Sequence, residues 1–256
     1  MGNNKKKKSD NPLFKRIFIA VFCLIAAVTG FGYKQGASQE DVRRSAEQAY
    51  TYVQEILEDL DNVETVEEIP EYEGETYITV NDNEPEFTEE QQEAEPYEYY
   101  SDLDSLDRCG YAEAKITEDL MPTEKRESIS SVKPSGWQNE KYDCVDGQYL
   151  YNRCHLLGYQ LTGENANEKN LITGTRYLNV DGMLPFENEV ATYIKDTGNA
   201  VLMRVTPVFE GDELVARGVQ MEAQSVEDDE ISFNVFVYNI QPGVEIDYAT
   251  GESQEE

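Results

Sequence analysis

The chain has 256 residues, with 52 Asp and Glu against 21 Lys and Arg, a formal net charge of −31 and a single histidine. A field of that sign repels phosphates, which excludes long-range steering of nucleic acid and leaves at most modest affinity for it. Three of the four cysteines, Cys109, Cys144 and Cys154, lie beyond the first apolar run, so at most one bridge forms among them; no Cys/His spacing suits a structural zinc ion.

Residues 1–34 read as a membrane signal anchor. Lys5 to Lys8, Lys15 and Arg16 precede an apolar stretch that, taken from Ile17 to Tyr33, is 17 residues long and reaches the lower limit for a spanning helix. The basic flank predicts a cytoplasmic N-terminus with everything after it extracytoplasmic. No small-x-small site follows, and Phe22 before Cys23 argues against lipoprotein cleavage. These features favour a single-pass anchor in the cell membrane over a cleaved signal and a secreted protein.

Residues 35–98 hold 21 acidic and 2 basic residues. Between Glu40 and Leu60, apolar residues at Val42, Ala46, Tyr50, Val53, Ile56, Leu57 and Leu60 have the spacing of one amphipathic helix, either solitary or self-associating near the membrane. From Asn62 to Glu98 the periodicity ends, and Pro70, Pro85 and Pro96 stand among glutamates. So little apolar surface cannot offset the entropy of ordering, and the reading is a disordered acidic stalk.

A globular domain, residues 99–256, follows. It reads as α+β, with strands expected at Cys109–Ile116, Tyr149–Leu156, Ala200–Phe209, Leu214–Ala223 and Ile231–Asn239. The last three are separated by short acidic turns and predict an antiparallel meander. Pro185 to Lys195 reads as a helix, with Pro in its first turn and Gly198 beyond its end. The stretch Gln160 to Gly174 reads as a long ordered loop. Charge is uneven: residues 107–179 hold 9 basic and 11 acidic residues, whereas residues 209–256 hold 1 and 13. A locally neutral face is therefore available around the histidine.

His155 ends an apolar strand, beside Arg153, and an imidazole titrates near neutrality as a general base must. Asn179 follows at a helix entrance, where an amide oxygen is a hard neutral ligand suited to Mg²⁺ that keeps its waters. Cys154 and His155 are adjacent on a strand and should point to opposite faces, which opposes a Cys–His nucleophile pair. Trp137, with Lys133 nearby, reads either as a half-buried core residue or as a stacking platform for bases. Arg176 reads as a phosphate contact or a surface ion pair.

The runs Tyr151-Asn152-Arg153-Cys154-His155-Leu156, Leu161 to Asn167, Asn170 to Asn179 and Gly182 to Glu187 resemble the DNA/RNA non-specific endonuclease family, of the ββα-metal (His-Me finger) superfamily. The resemblance spans about residues 103–253 and, more narrowly, is to Gram-positive secreted and DNA-entry nucleases. It implies a ββα-metal core on a mainly antiparallel sheet and Mg²⁺-dependent cleavage of DNA and RNA, with Mn²⁺ able to substitute. It also implies 5′-phosphate ends. His155 then falls on the general base, Arg153 on a phosphate contact and Asn179 on the metal ligand. The helix glutamate that orients waters on the ion falls on Glu187, with Glu189 as the alternative. Asn152 stands where the family has aspartate and Cys154 where it has glycine. Asn152, Arg176 and Lys133 are further candidate substrate contacts. The departures and the acidic charge favour a second reading, a non-catalytic nucleic-acid or envelope-partner binding protein on a degenerate scaffold; the intact His155, Arg153 and Asn179 oppose it. A link to DNA-uptake machinery through the stalk is compatible with the sequence.

Overall fold

The β-branched and aromatic runs after residue 200 pair as a meander. Strands β6 (Val201–Val208), β7 (Gly218–Ser225) and β8 (Ser232–Tyr238) are antiparallel neighbours, as expected. The computed structural model describes residues 69–256, all within the compact unit Thr65–Glu256. The expected membrane segment and the helix over residues 40–60 lie outside the described residues. Among the described residues, no helix is long and apolar enough to cross a membrane.

The sheet begins well before residue 99. β1 (Tyr77–Thr79) pairs with β8, and β2 (Tyr97–Tyr100) pairs with β3 (Ala112–Ile116), which pairs with β6. The strand order is β1-β8-β7-β6-β3-β2, antiparallel throughout. The spacer expected over residues 62–98 is thus corrected for its second half. Between these two strands, α1 (Glu89–Glu93) opens with a capping box in which Thr88 and Gln91 satisfy each other's backbone N–H.

Alternation along the strands separates two faces. Val201, Met203, Val205, Val219, Met221, Ala223, Val235 and Val237 join the main core. On the other face Arg204 lies directly between Glu113 and Glu222 in the register. Its Nε donates to Glu113 Oε2 at 2.6 Å and its Nη1 to Glu222 Oε1 at 2.9 Å, with all three side chains buried. Residues 86–97 cover this charged row. Glu86 N–H donates to Glu222, Gln91 Nε2 and the Tyr97 hydroxyl donate to Glu113, and the Arg204 guanidinium lies 5.0 Å from the Phe87 ring centre. The segment docks through polar groups, which is why a search for apolar periodicity misses it.

The core face receives a strand–strand–helix unit. β4 (Tyr151–His155) and β5 (Leu171–Thr175) form an antiparallel pair, followed by a wide π turn (Leu178–Met183) and α3 (Leu184–Thr197). α3 matches the expected helix, with Pro185 in its first turn and a left-handed Gly198 closing its end. Val190, Ala191 and Ile194 carry it onto the core. The expected loop over residues 160–174 is instead a short helix α2 (Tyr159–Thr162), a connection and β5. Asn239 ties the unit to the sheet: its Oδ1 accepts from Thr175 N–H, and its Nδ2 donates to the carbonyls of Thr173 and Ala216. Two short strands, β9 (Val244–Ile246) and β10 (Ser253–Glu255), pair near the C-terminus.

Candidate active site

β4 ends at His155 because Asn170 staples the chain just beyond it. The Asn170 amide accepts from Leu157 N–H at 2.9 Å and donates to the Leu157 carbonyl at 3.0 Å, at a fully buried position. The imidazole is 6% exposed, and its Nε2 lies 2.8 Å from the Asn165 carbonyl. A carbonyl only accepts, so Nε2 carries the proton and the lone pair of the neutral ring is on Nδ1. That Nδ1 faces Nη2 of Arg126 at 3.5 Å. Burial, reinforced by Arg126, pushes the imidazole down from 6.5 to about 4, while the Asn165 bond works against this.

The ring is therefore neutral at physiological pH, in the state a general base needs. Because this is the only histidine, its titration can be read directly. The two imidazole C–H resonances of this one histidine should titrate with a midpoint near pH 4. A midpoint near 6.5 in an NMR titration would show an exposed ring. Since the folded value is depressed, the stability it carries is present above about 6.5, the unfolded value, and is lost as pH falls through 4.

His155, Arg126, Asn152, Arg153, Arg176, Asn179 and Glu187 all line one cleft of about 720 Å³. Glu187 is buried there, and burial raises its carboxyl to about 7. Gly158 makes room for it, since a side chain on Gly158 would meet the Glu187 carboxylate at 2.6 Å. Glu189 is exposed and lines a different surface hollow, so Glu187 is the glutamate that reaches the cleft.

Asn179 lies in the π turn rather than at a helix cap; its carbonyl accepts from Leu184 N–H. The wider turn offsets this residue from the regular helical spacing, a feature common at functional sites. Its side-chain Oδ1 accepts a hydrogen bond from the Cys154 thiol at 2.9 Å. Cys154 and His155 do diverge: the thiol donates to Asn179 while the imidazole turns to Asn165. Cys109, Cys144 and Cys154 are all free thiols, and burial raises the first and the last.

Arg153 is held differently from the expectation. Its Nε donates to the Val132 carbonyl and its Nη2 to the Ser130 carbonyl, and its guanidinium stacks 4.0 Å from the Trp137 ring centre. It ties down the loop over residues 128–137. Trp137 is half-buried against Tyr151 and Leu150 while also lining the cleft. Arg176 pairs with the exposed Asp146 at 3.0 Å. Lys133 is exposed and does not line the cleft. Asn152 lines it, and its buried Nδ2 has no hydrogen-bond partner within the protein. The ring nitrogens of His155 meet Asn165 and Arg126, not Asn152. Arg126 escaped sequence reasoning altogether; it sits in an exposed mixed-charge run, Glu124-Lys125-Arg126-Glu127, with no periodicity around it.

A neutral buried imidazole, a buried carboxyl and an amide oxygen thus meet around one cleft on a strand–strand–helix unit. A model of the DNA/RNA non-specific endonuclease family matches residues 88–227, more than half of the chain, and the chain belongs to that family. It is a nuclease, a hydrolase. The fold is similar to the crystal structure of NucA from Streptococcus agalactiae with magnesium ion bound, at a TM-score of 0.66 and 24% identity over 79% of this chain and 96% of that one. It is also similar to the Sda1 nuclease with bound zinc ion, at 0.59 and 29% over 71% and 97%.

Proposed function

We propose that the chain is a Mg²⁺-dependent endonuclease that cuts DNA and RNA with little sequence preference, outside the cytoplasm, on an anchor formed by residues 1–34. The observation that carries this is the buried His155, its Nε2 committed to the Asn165 carbonyl and its Nδ1 facing Arg126, lining the same cleft as Asn179 and Glu187.

The donor set fits a hard cation. Among the described residues no cluster of three or more His, Cys, Asp or Glu would hold a metal ion. Asn179 instead offers one amide oxygen with a lone pair beyond that given to Cys154, and Glu187 offers a nearby carboxylate for bound waters. When bound, the ion would supply positive charge to the phosphoryl oxygen and the leaving 3′ oxygen. His155 Nδ1 takes the proton of the attacking water. The Asn165 carbonyl, still bonded to Nε2–H, then stabilises the imidazolium. Arg126 holds the scissile phosphate and leaves Nδ1 free as it does so. Arg153 acts through the loop it ties down. A locally balanced charge over residues 107–179 allows this despite the net −31.

The test is incubation of the full-length protein with supercoiled plasmid and with single-stranded RNA, with Mg²⁺ and with excess chelator. Cleavage should require the metal. Asn179→Ala should lower the rate about a hundredfold, with part of the loss restored by raised Mg²⁺. A folded wild type that stays inert with every divalent ion tried would instead favour the binding-scaffold reading.

A further inference from the structure

We infer that Cys154 is a positioning residue for Asn179, fixing which end of the amide faces the cation; this rests on the metal-dependent reading above. An asparagine side chain has two ends of nearly equal size and opposite chemistry, an oxygen that accepts and an NH₂ that donates. Only the oxygen ligates a cation, and a half-turn about the last bond would aim two N–H groups at the ion.

The Cys154 thiol resolves this ambiguity. It lies 2.9 Å from Asn179 Oδ1 and is wholly buried, so the S–H is the donor and the oxygen is held in place with its second lone pair left over. The partner strand is built around that sulfur: a side chain on Gly174 would meet Cys154 Cβ and Sγ at 2.8 Å. Leu178, next to Asn179, closes the same space from the π turn.

The experiment is a titration of the full-length protein with Mn²⁺ in the absence of nucleic acid, followed by the paramagnetic resonance of the free ion. Cys154→Ala should weaken Mn²⁺ binding about tenfold, the scale of one lost hydrogen bond, while Cys154→Ser, which keeps a donor, stays within about twofold of wild type. The decisive arm uses Asn179→Asp. A carboxylate has two equivalent oxygens and needs no orienting, so adding Cys154→Ala to Asn179→Asp should change Mn²⁺ affinity by less than about twofold. An equal loss in both backgrounds would mean that the thiol only packs, and would overturn the inference. Unchanged binding by Cys154→Ala in a wild type that does bind Mn²⁺ would overturn it alone. A wild type that binds no Mn²⁺ would remove the metal reading and this inference together.

Discussion

Full-length protein carrying His155→Ala is expected to cleave plasmid about 10²–10⁴-fold more slowly than wild type, the range that a positioned general base contributes. Nothing else at the site can take over. There is no second imidazole in the chain. Arg126 faces Nδ1 at 3.5 Å but its guanidinium only donates hydrogen bonds and accepts none. Glu187 is buried, and in the proposed mechanism its carboxylate would be engaged with waters on the cation. Two companions separate chemistry from folding. Imidazole added to the buffer should restore part of the activity of the alanine variant by entering the vacated space. His155→Gln, which keeps a polar group near the Asn165 carbonyl but accepts no proton, should be as inactive as alanine. Circular dichroism and the thermal midpoint report whether the domain still folds. Cleavage by a folded His155→Ala protein at close to the wild-type rate would end the assignment of the base.

The second large effect concerns stability. Arg204→Met is expected to destabilise the domain by about 3–5 kcal/mol, measured by urea unfolding, because it leaves the buried Glu113 and Glu222 facing each other without a cation. Deleting the partner of a buried charge costs more than the ion pair contributes, since the remaining carboxylates have lost both water and counter-ion. Replacing all three with apolar residues of similar volume should recover most of the loss. A deficit below about 1 kcal/mol for Arg204→Met alone would mean that water reaches the row, and that residues 86–97 do not seal it as the hydrogen bonds from Glu86, Gln91 and Tyr97 indicate.

Legibility in the sequence followed the kind of interaction involved. The meander and α3 are carried by apolar periodicity and by Pro185 and Gly198, all local signals. β5 was missed because Gly174 interrupts its apolar run, and that glycine is explained by the diagonal approach of Cys154 from the paired strand and of Leu178 from the π turn. Residues 86–97 were missed for the opposite reason: their partners are a buried arginine and two glutamates more than ten residues away, a pairing that no local pattern encodes. The family motif named His155, Asn179 and Glu187, and all three line the same cleft. Arg126 and the turning of Arg153 toward Ser130 and Val132 were not legible, because both depend on how the long connection between β3 and β4 lies over the cleft.

The small strand β1 has a consequence for handling the protein. It caps the outer edge of β8, whose backbone groups would otherwise face solvent along Val235, Phe236 and Val237, a segment rich in β-forming side chains. An exposed edge of that composition invites another chain to add to it, the first step toward ordered aggregates. A fragment cut at residue 99, where composition first turns ordinary, would open that edge and uncover the charged row in the same stroke. The acidic residues before it therefore act as a built-in solubility device, keeping the sheet from recruiting its own copies.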